Sequence, residues 1–199
     1  MMRTLVVATK NKKKLHELRR YLKPVRADVI SLEGFEKTPR FVENGRTFKE
    51  NAAKKALAVS RFIGGGLAIA DDSGLAVKAL GGAPGIRSSR FAGSAKSDRA
   101  NNRNVLRLLK DVPPARRQAK FICAVAIAEN GKVIKLIEEN CKGLIAFEEL
   151  GNCGFGYDPL FLIPKYGKTF GQLGLKVKDR MSHRSKALKK ARAFLRKYL

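Results

Sequence analysis

An α/β fold with a mixed sheet is what this 199-residue chain predicts, on three observations. An apolar run at residues 4–9 and a strand-like segment at 26–32 bracket an amphipathic stretch, the strand–helix–strand order of a parallel pair. A further apolar run at 67–70 leads straight into Asp71-Asp72-Ser73-Gly74. Asn130-Gly131 then separates two strand-like segments, the strongest short-range signal for a hairpin.

The elements follow in order. Asn11 precedes KKKLHELRRYLK, where Leu15, Leu18 and Leu22 recur at helical spacing and Pro24 closes the helix. Thr47-Phe-Lys-Glu50 reads as a capping box, with Thr47 as N-cap and Glu50 reaching back. The helix it starts puts Ala52, Ala53, Ala56, Leu57 and Ser60 on one face, and Gly64-Gly65-Gly66 stops it. The strand at 67–70 ends at the two aspartates, and LGGAPGIRSSRFAG beyond is too irregular for a helix. A third helix spans 98–110 with Val105, Leu106 and Leu109 inward, ended by Pro113-Pro114. Strands at 119–129 and 132–139 flank the hairpin turn, and residues 154–164 form a glycine-rich turn entering an apolar strand. A last helix at 182–198 sets Ala187, Leu188, Ala191, Phe194, Leu195 and Tyr198 toward the core. There is no repeat, linker or low-complexity tract, so residues 1–199 are read as one domain.

Composition narrows the class. With 44% hydrophobic and 30% charged residues, a disordered or fibrous chain is excluded. No apolar run nears the ~20 residues of a bilayer span, and the N-terminus lacks a signal-peptide core, so a soluble cytoplasmic chain is expected. Forty-two basic against 17 acidic residues give +25, a field that attracts nucleic acid, nucleotides or anionic lipid. The charges are spread over several segments, which favours a solvated basic surface over a dedicated nucleic-acid site. Cys123, Cys141 and Cys153 form no C-x-x-C pair, so neither a disulfide framework nor a zinc site is indicated.

Several constellations could carry chemistry. Gly167-Lys168-Thr169 resembles the end of a P-loop, but Leu162 holds the required upstream glycine position. Only His16 and His183 are present, and no G-x-S-x-G occurs, so serine and cysteine triads have little to work with. Asp71 and Asp72, at a strand end where open α/β sheets bind ligands, repel each other unless a cation joins them. Mg²⁺ is the natural occupant, with Glu43 the better additional ligand because Glu50 has a capping role. An Asx-type turn is the plainer reading of the same residues. Thr9-Lys-Asn-Lys-Lys-Lys14 is a strand-to-helix turn whose backbone N–H groups and lysines suit a polyphosphate, or are simply solvated. Gly154-Phe-Gly-Tyr-Asp158-Pro could cradle a planar base or be a plain turn. Ser182-His183-Arg184 offers three donors, or an N-cap at Ser182.

ATKNKKKLHEL, RTFKENAAKKA, ADDSGLAVKALGGAPGIRSSRF, GFGYDPLF, GKTFGQL and KDRMSHRSKAL together resemble the inosine triphosphate pyrophosphatase family, the dITP/XTP pyrophosphatases, over nearly the whole chain. The resemblance implies an α/β protein with an elongated mixed central sheet, flanking helices and two lobes around a substrate cleft, usually a homodimer. It implies Mg²⁺-dependent hydrolysis of deaminated purine triphosphates (ITP, dITP, XTP) to the monophosphate and pyrophosphate, cleansing the nucleotide pool. Carried over by motif, Asp72 is the proton acceptor and a metal ligand, with Glu43 the second metal carboxylate. Thr9, Lys10, Asn11, Lys12, Lys13 and Lys14 form the phosphate turn, Lys55 is aimed at the same triphosphate, and Ser73 is a substrate contact. Phe155, Gly156, Tyr157 and Asp158, with Lys178, His183 and Arg184, match the part that receives the base. Donors there serve the 6-keto oxygen and would meet an N–H₂ donor in adenine.

Three departures from the family pattern stand out: Lys10 where the turn usually has Gly, Arg87 for an aromatic, and Gln172 for a glutamate. None touches Asp72 or Glu43. Two other readings compete. One is a Maf-like nucleotide pyrophosphatase, against which SHR and GFGYDP argue. The other is a basic nucleic-acid-binding module without catalysis, which the retained ADDSG opposes.

Overall fold

Residues 3–39, 41 and 43–199 are described in the computed structural model. β1 (Arg3–Val7) runs into α1 (Lys12–Leu22), and the Asn11 side chain accepts a hydrogen bond from the Lys14 N–H. That bond satisfies one of the donors left open in a helix's first turn. Leu15, Leu18 and Leu22 face inward, as their spacing predicts. β2 (Ala27–Ser31) pairs parallel with β1, completing the expected strand–helix–strand unit.

α2 (Phe48–Phe62) starts at Thr47, whose hydroxyl accepts from the Glu50 N–H at 3.1 Å. The Glu50 carboxylate, however, accepts from the Arg46 N–H at 2.8 Å, one residue before the cap. The chain bends at residues 46–47 and turns that amide toward the helix, so the capping box is only half formed. The buried stripe is Phe48, Asn51, Ala52, Lys55, Ala56, Val59 and Ser60, while Ala53 and Leu57 are only half-buried. The expected apolar face is rotated because Asn51 and Lys55 find polar partners inside.

β3 (Leu67–Val77) corrects the expectation of a short strand ending in a turn. The Asp71-Asp72-Ser73-Gly74 motif lies within the strand, which rules out an Asx-type turn there. Parallel pairing of residues 67–69 with β1 and a neighbour on the other side supply a ladder that propensity alone cannot reveal. The following segment contains two short 3₁₀ turns, Lys78–Leu80 and Gly85–Arg90, in keeping with the absence of an α-helix. α3 (Asp98–Leu108) buries Asn101, Asn102 and Val105, with Leu106 only partly covered.

β4 (Gln118–Glu129) and β5 (Lys132–Ile145) flank Asn130 and Gly131, whose φ values of 50° and 69° are those a two-residue hairpin turn requires. β5 continues well past residue 139, where the sequence pattern fades. β6 (Phe161–Ile163) and β7 (Lys168–Thr169) extend the sheet antiparallel. α4 (Phe170–Met181) has no counterpart in the expectation: Gly174 leaves helical backbone inside it (φ 69°), which broke the pattern. α5 (His183–Tyr198) buries Ala187, Leu188, Ala191 and Leu195, whereas Phe194 is partly covered and Tyr198 is 39% exposed.

Among the described residues the seven strands form one mixed sheet in the order β2-β1-β3-β4-β5-β6-β7. The α/β class with flanking helices is therefore as expected. The chain divides into two compact units, each assembled from separate stretches. The first (1–72, 123–139, 184–199) has a core of Leu5, Leu18, Ile69, Val125 and Leu188 among others. The second (73–122, 140–183) is built on Leu75, Phe121, Leu160, Phe161 and Phe170.

Candidate active site

In the first unit, two aspartates of β3 organise a cluster of opposite charges. Asp71 is fully buried, and its Oδ2 lies 2.9 Å from Lys14 Nζ and 3.4 Å from Arg184 Nε. Arg184 in turn donates to Glu17 at 2.8 Å. Burial by itself would raise the Asp71 pKa, but Lys14, then Arg184 and Lys55, outweigh it and hold the carboxyl well below the usual range. For Arg184, burial opposes the charge while Asp71 and Glu17 sustain it, and its pKa is raised.

Asp72 has the opposite balance. Burial pushes its pKa up, and the pull of Lys55 and Lys14 does not fully offset that. Its Oδ1 is 2.9 Å from Lys55 Nζ, and its Oδ2 accepts from Asn51 Nδ2 at 3.3 Å. Lys55 Nζ also lies 3.3 Å from Glu43 Oε1. Burial disfavours the ammonium, yet Asp72, Asp71 and Glu43 together raise the Lys55 pKa. Asn51 completes the arrangement: its Oδ1 accepts from the Gly45 N–H at 2.8 Å, tying the segment that carries Glu43 to α2.

The lysine-rich turn before α1 is only partly drawn into this cluster. Lys14 reaches it, while Lys10, Lys12 and Lys13 are exposed, with Lys10 Nζ 6.0 Å from the Phe41 ring centroid. Thr9 Oγ1 accepts from the Asn11 N–H, so both side chains shape the turn's backbone. Asn51 and Glu17 are given no role by the sequence motifs above. Their signal is a polar residue on the inward stripe of an otherwise apolar helix for Asn51, and an acid among lysines for Glu17.

A polar constellation in the second unit centres on the GFGYDP segment. Lys178 Nζ is 2.5 Å from Asp158 Oδ2 and 4.9 Å from the Phe155 ring centroid. The same carboxylate oxygen accepts from the Phe155 N–H at 2.8 Å. Tyr157 donates its hydroxyl to the Ser88 carbonyl at 2.7 Å, and its burial drives the phenol pKa up. His183 is buried and stacks on Phe121, with centroids 4.7 Å apart. Ser73 is half-buried on β3. Cys123 is no nucleophile, since burial pushes its thiol up to about 12.

The donor set fits a hard divalent cation. Asp72 and Glu43 converge on one point of positive charge, the Lys55 ammonium, and offer only oxygen. Mg²⁺ is commonly held by one or two carboxylates together with substrate phosphates. Among the described residues there is no cluster of three or more His, Cys, Asp or Glu, so a cage made wholly of protein ligands is not present there.

Comparison with known proteins matches this chain to the Ham1 family model over residues 5–194. The chain is 51% identical over 191 residues to the dITP/XTP pyrophosphatase of Desulforamulus reducens, covering 96% of this chain and 94% of that one. It is 46% identical to the dITP/XTP pyrophosphatase of Shouchella clausii, covering 94% and 93% of the two chains. Among solved structures, a HAM1 protein from Coxiella burnetii superposes with a TM-score of 0.90 at 35% identity, covering 98% of this chain and 100% of the other.

Proposed function

The chain belongs to the Ham1 family, and from that premise we propose that it hydrolyses dITP, ITP and XTP to the monophosphate and pyrophosphate. The observation that carries the reading is the Asp72–Lys55–Glu43 arrangement beside Lys14, a pair of carboxylates among cations suited to a triphosphate. Asp72 takes the proton of the water that attacks the α-phosphorus. Asn51 orients the Asp72 carboxylate, and Lys55 and Lys14 offer charge to the phosphate oxygens. Asp72 and Glu43 are the residues that would hold Mg²⁺, which when bound neutralises charge developing on the phosphates.

For the base, the resemblance assigns Phe155 to Asp158, Lys178, His183 and Arg184. A buried donor that satisfies a 6-keto oxygen is left unpaired, facing another donor, by a 6-amino purine. A homodimer and a cytoplasmic setting belong to the same reading. The test is pyrophosphate release from ITP, XTP, GTP, ATP and dTTP, with and without Mg²⁺, for the wild type and Asp72→Asn. Mg²⁺-dependent release confined to ITP and XTP, lowered by roughly 10²–10⁴ in the variant, is expected. Release from dTTP would move the chain to the Maf-like reading, and no release at all would overturn the proposal.

A further inference from the structure

We propose that Asp98 and Asn102, one turn apart on α3, are positioning residues that set the backbone at Gly156 and through it the base selectivity of the enzyme. This rests on the reading above, in which the Phe155 segment receives the base. Residues four apart lie on one helical face, so both side chains reach the same neighbour. The Asp98 Oδ2 accepts from the Gly156 N–H at 2.9 Å, and the Asn102 Nδ2 donates to the Gly156 carbonyl at 3.2 Å. The same amide nitrogen donates to Glu149 Oε2 at 2.8 Å, which fixes its orientation.

Gly156 sits at φ 64°, a left-handed conformation that few side chains tolerate, and here both its polar groups are gripped from one helix. Its neighbours are held as well: the Phe155 N–H by Asp158, and the Tyr157 hydroxyl by the Ser88 carbonyl. Phe155 is thus tied within its own segment, and Gly156 and Tyr157 to α3 and to the 85–90 turn, so the backbone that carries the Phe155 ring is set before any ligand arrives. A face prepared in this way spares the ligand the entropy of ordering the loop. α3 is itself well anchored. Ser97 caps its start, and Asn101 accepts from the Ala92 N–H at 2.8 Å and donates to the Ser89 carbonyl.

The variants Asp98→Ala, Asp98→Asn and Asn102→Asp distinguish positioning from bulk support. Asparagine at 98 keeps an oxygen for the Gly156 N–H, whereas aspartate at 102 sets a carboxylate against both a carbonyl and Glu149. Steady-state kinetics with ITP and ATP are measured beside hydrogen exchange of the 152–160 backbone. Asp98→Ala and Asn102→Asp are expected to raise KM for ITP about tenfold, with kcat within about threefold, and to narrow the ITP/ATP ratio of kcat/KM. Exchange at Gly156 should rise in both, and Asp98→Asn should stay near the wild type in every readout. Unchanged KM and selectivity in folded Asp98→Ala, or an Asp98→Asn as impaired as Asp98→Ala, would overturn the inference. Wild-type protein inert toward ITP would sink the proposed function instead, and exchange at Gly156 would still decide the clamp: no increase in either variant refutes it.

Discussion

Replacing Lys55 by methionine removes the cation on which Asp72 and Glu43 converge, while keeping the length and most of the volume of the side chain. At the observed 2.9 Å and an effective dielectric of 20, the Lys55–Asp72 attraction is about 6 kcal/mol before desolvation is subtracted. The Glu43 contact at 3.3 Å adds less than its distance implies, because that carboxylate is 34% exposed and screened. The lost desolvation penalty of the ammonium offsets part of this. What remains is a buried Asp72 beside Asp71 with its nearest cation gone, a situation that costs about 3–5 kcal/mol. At roughly 2–4 °C per kcal/mol for a chain of this size, the melting temperature in EDTA should drop by about 10 °C. Mg²⁺ should then restore stability selectively. At 100 times its Kd a ligand adds about 2.7 kcal/mol, and the variant, with Lys55 no longer competing for the same oxygens, gains more than the wild type. The assay is thermal unfolding of both proteins in EDTA and in excess Mg²⁺. A variant that loses less than about 1 kcal/mol, or that gains no more from Mg²⁺ than the wild type, would show that these carboxylates are not a shared cation site.

Two further outcomes follow from the same contacts. Asp71 has a depressed pKa in the folded state, so it contributes stability that is present above its ordinary value of 3.8 and lost as pH falls below it. Asp72 is raised and works in the opposite direction, so comparison with Asp71→Asn isolates the effect. Urea unfolding in EDTA should show that variant well below the wild type at pH 6–7 and the gap closing below pH 4; a gap independent of pH would refute the assignment. Arg117, only 2% exposed, donates to the carbonyls of Leu109, Val112, Ile145 and Ala146. Arg117→Met leaves those acceptors unpaired, and urea unfolding should register a loss of about 3 kcal/mol or more, with turnover per folded molecule unchanged.

The elements readable in advance are those whose causes are local. Asn11 and Thr47 cap their helices with bonds to N–H groups three residues away, and Asn130-Gly131 turns the hairpin by its own backbone preferences. The repeating leucines of α1 needed only a core of some kind to face. α4 is not legible in the sequence because Gly171 and Gly174 interrupt its pattern, and its start depends on the reciprocal bonds between Thr169 and Gln172.

The candidate site divides along the same line. Its chemistry was legible in residue types: adjacent aspartates in an acid-poor chain, a lysine-rich helix start and a glycine–aromatic segment ending in an acid. Sequence alone therefore determined the α/β class, the motif order and the candidate residues for the proposed reaction. Only the tertiary structure decided that Asp71 and Asp72 stand inside a strand, that Asn51 and Lys55 turn inward, and that α3 grips Gly156. Burying a lysine, a carboxylate or a peptide group is favourable only when a partner stands opposite. Here those partners are brought from distant stretches of chain: 17 residues separate Lys55 from Asp72, 58 separate Asp98 from Gly156 and 113 separate Asp71 from Arg184.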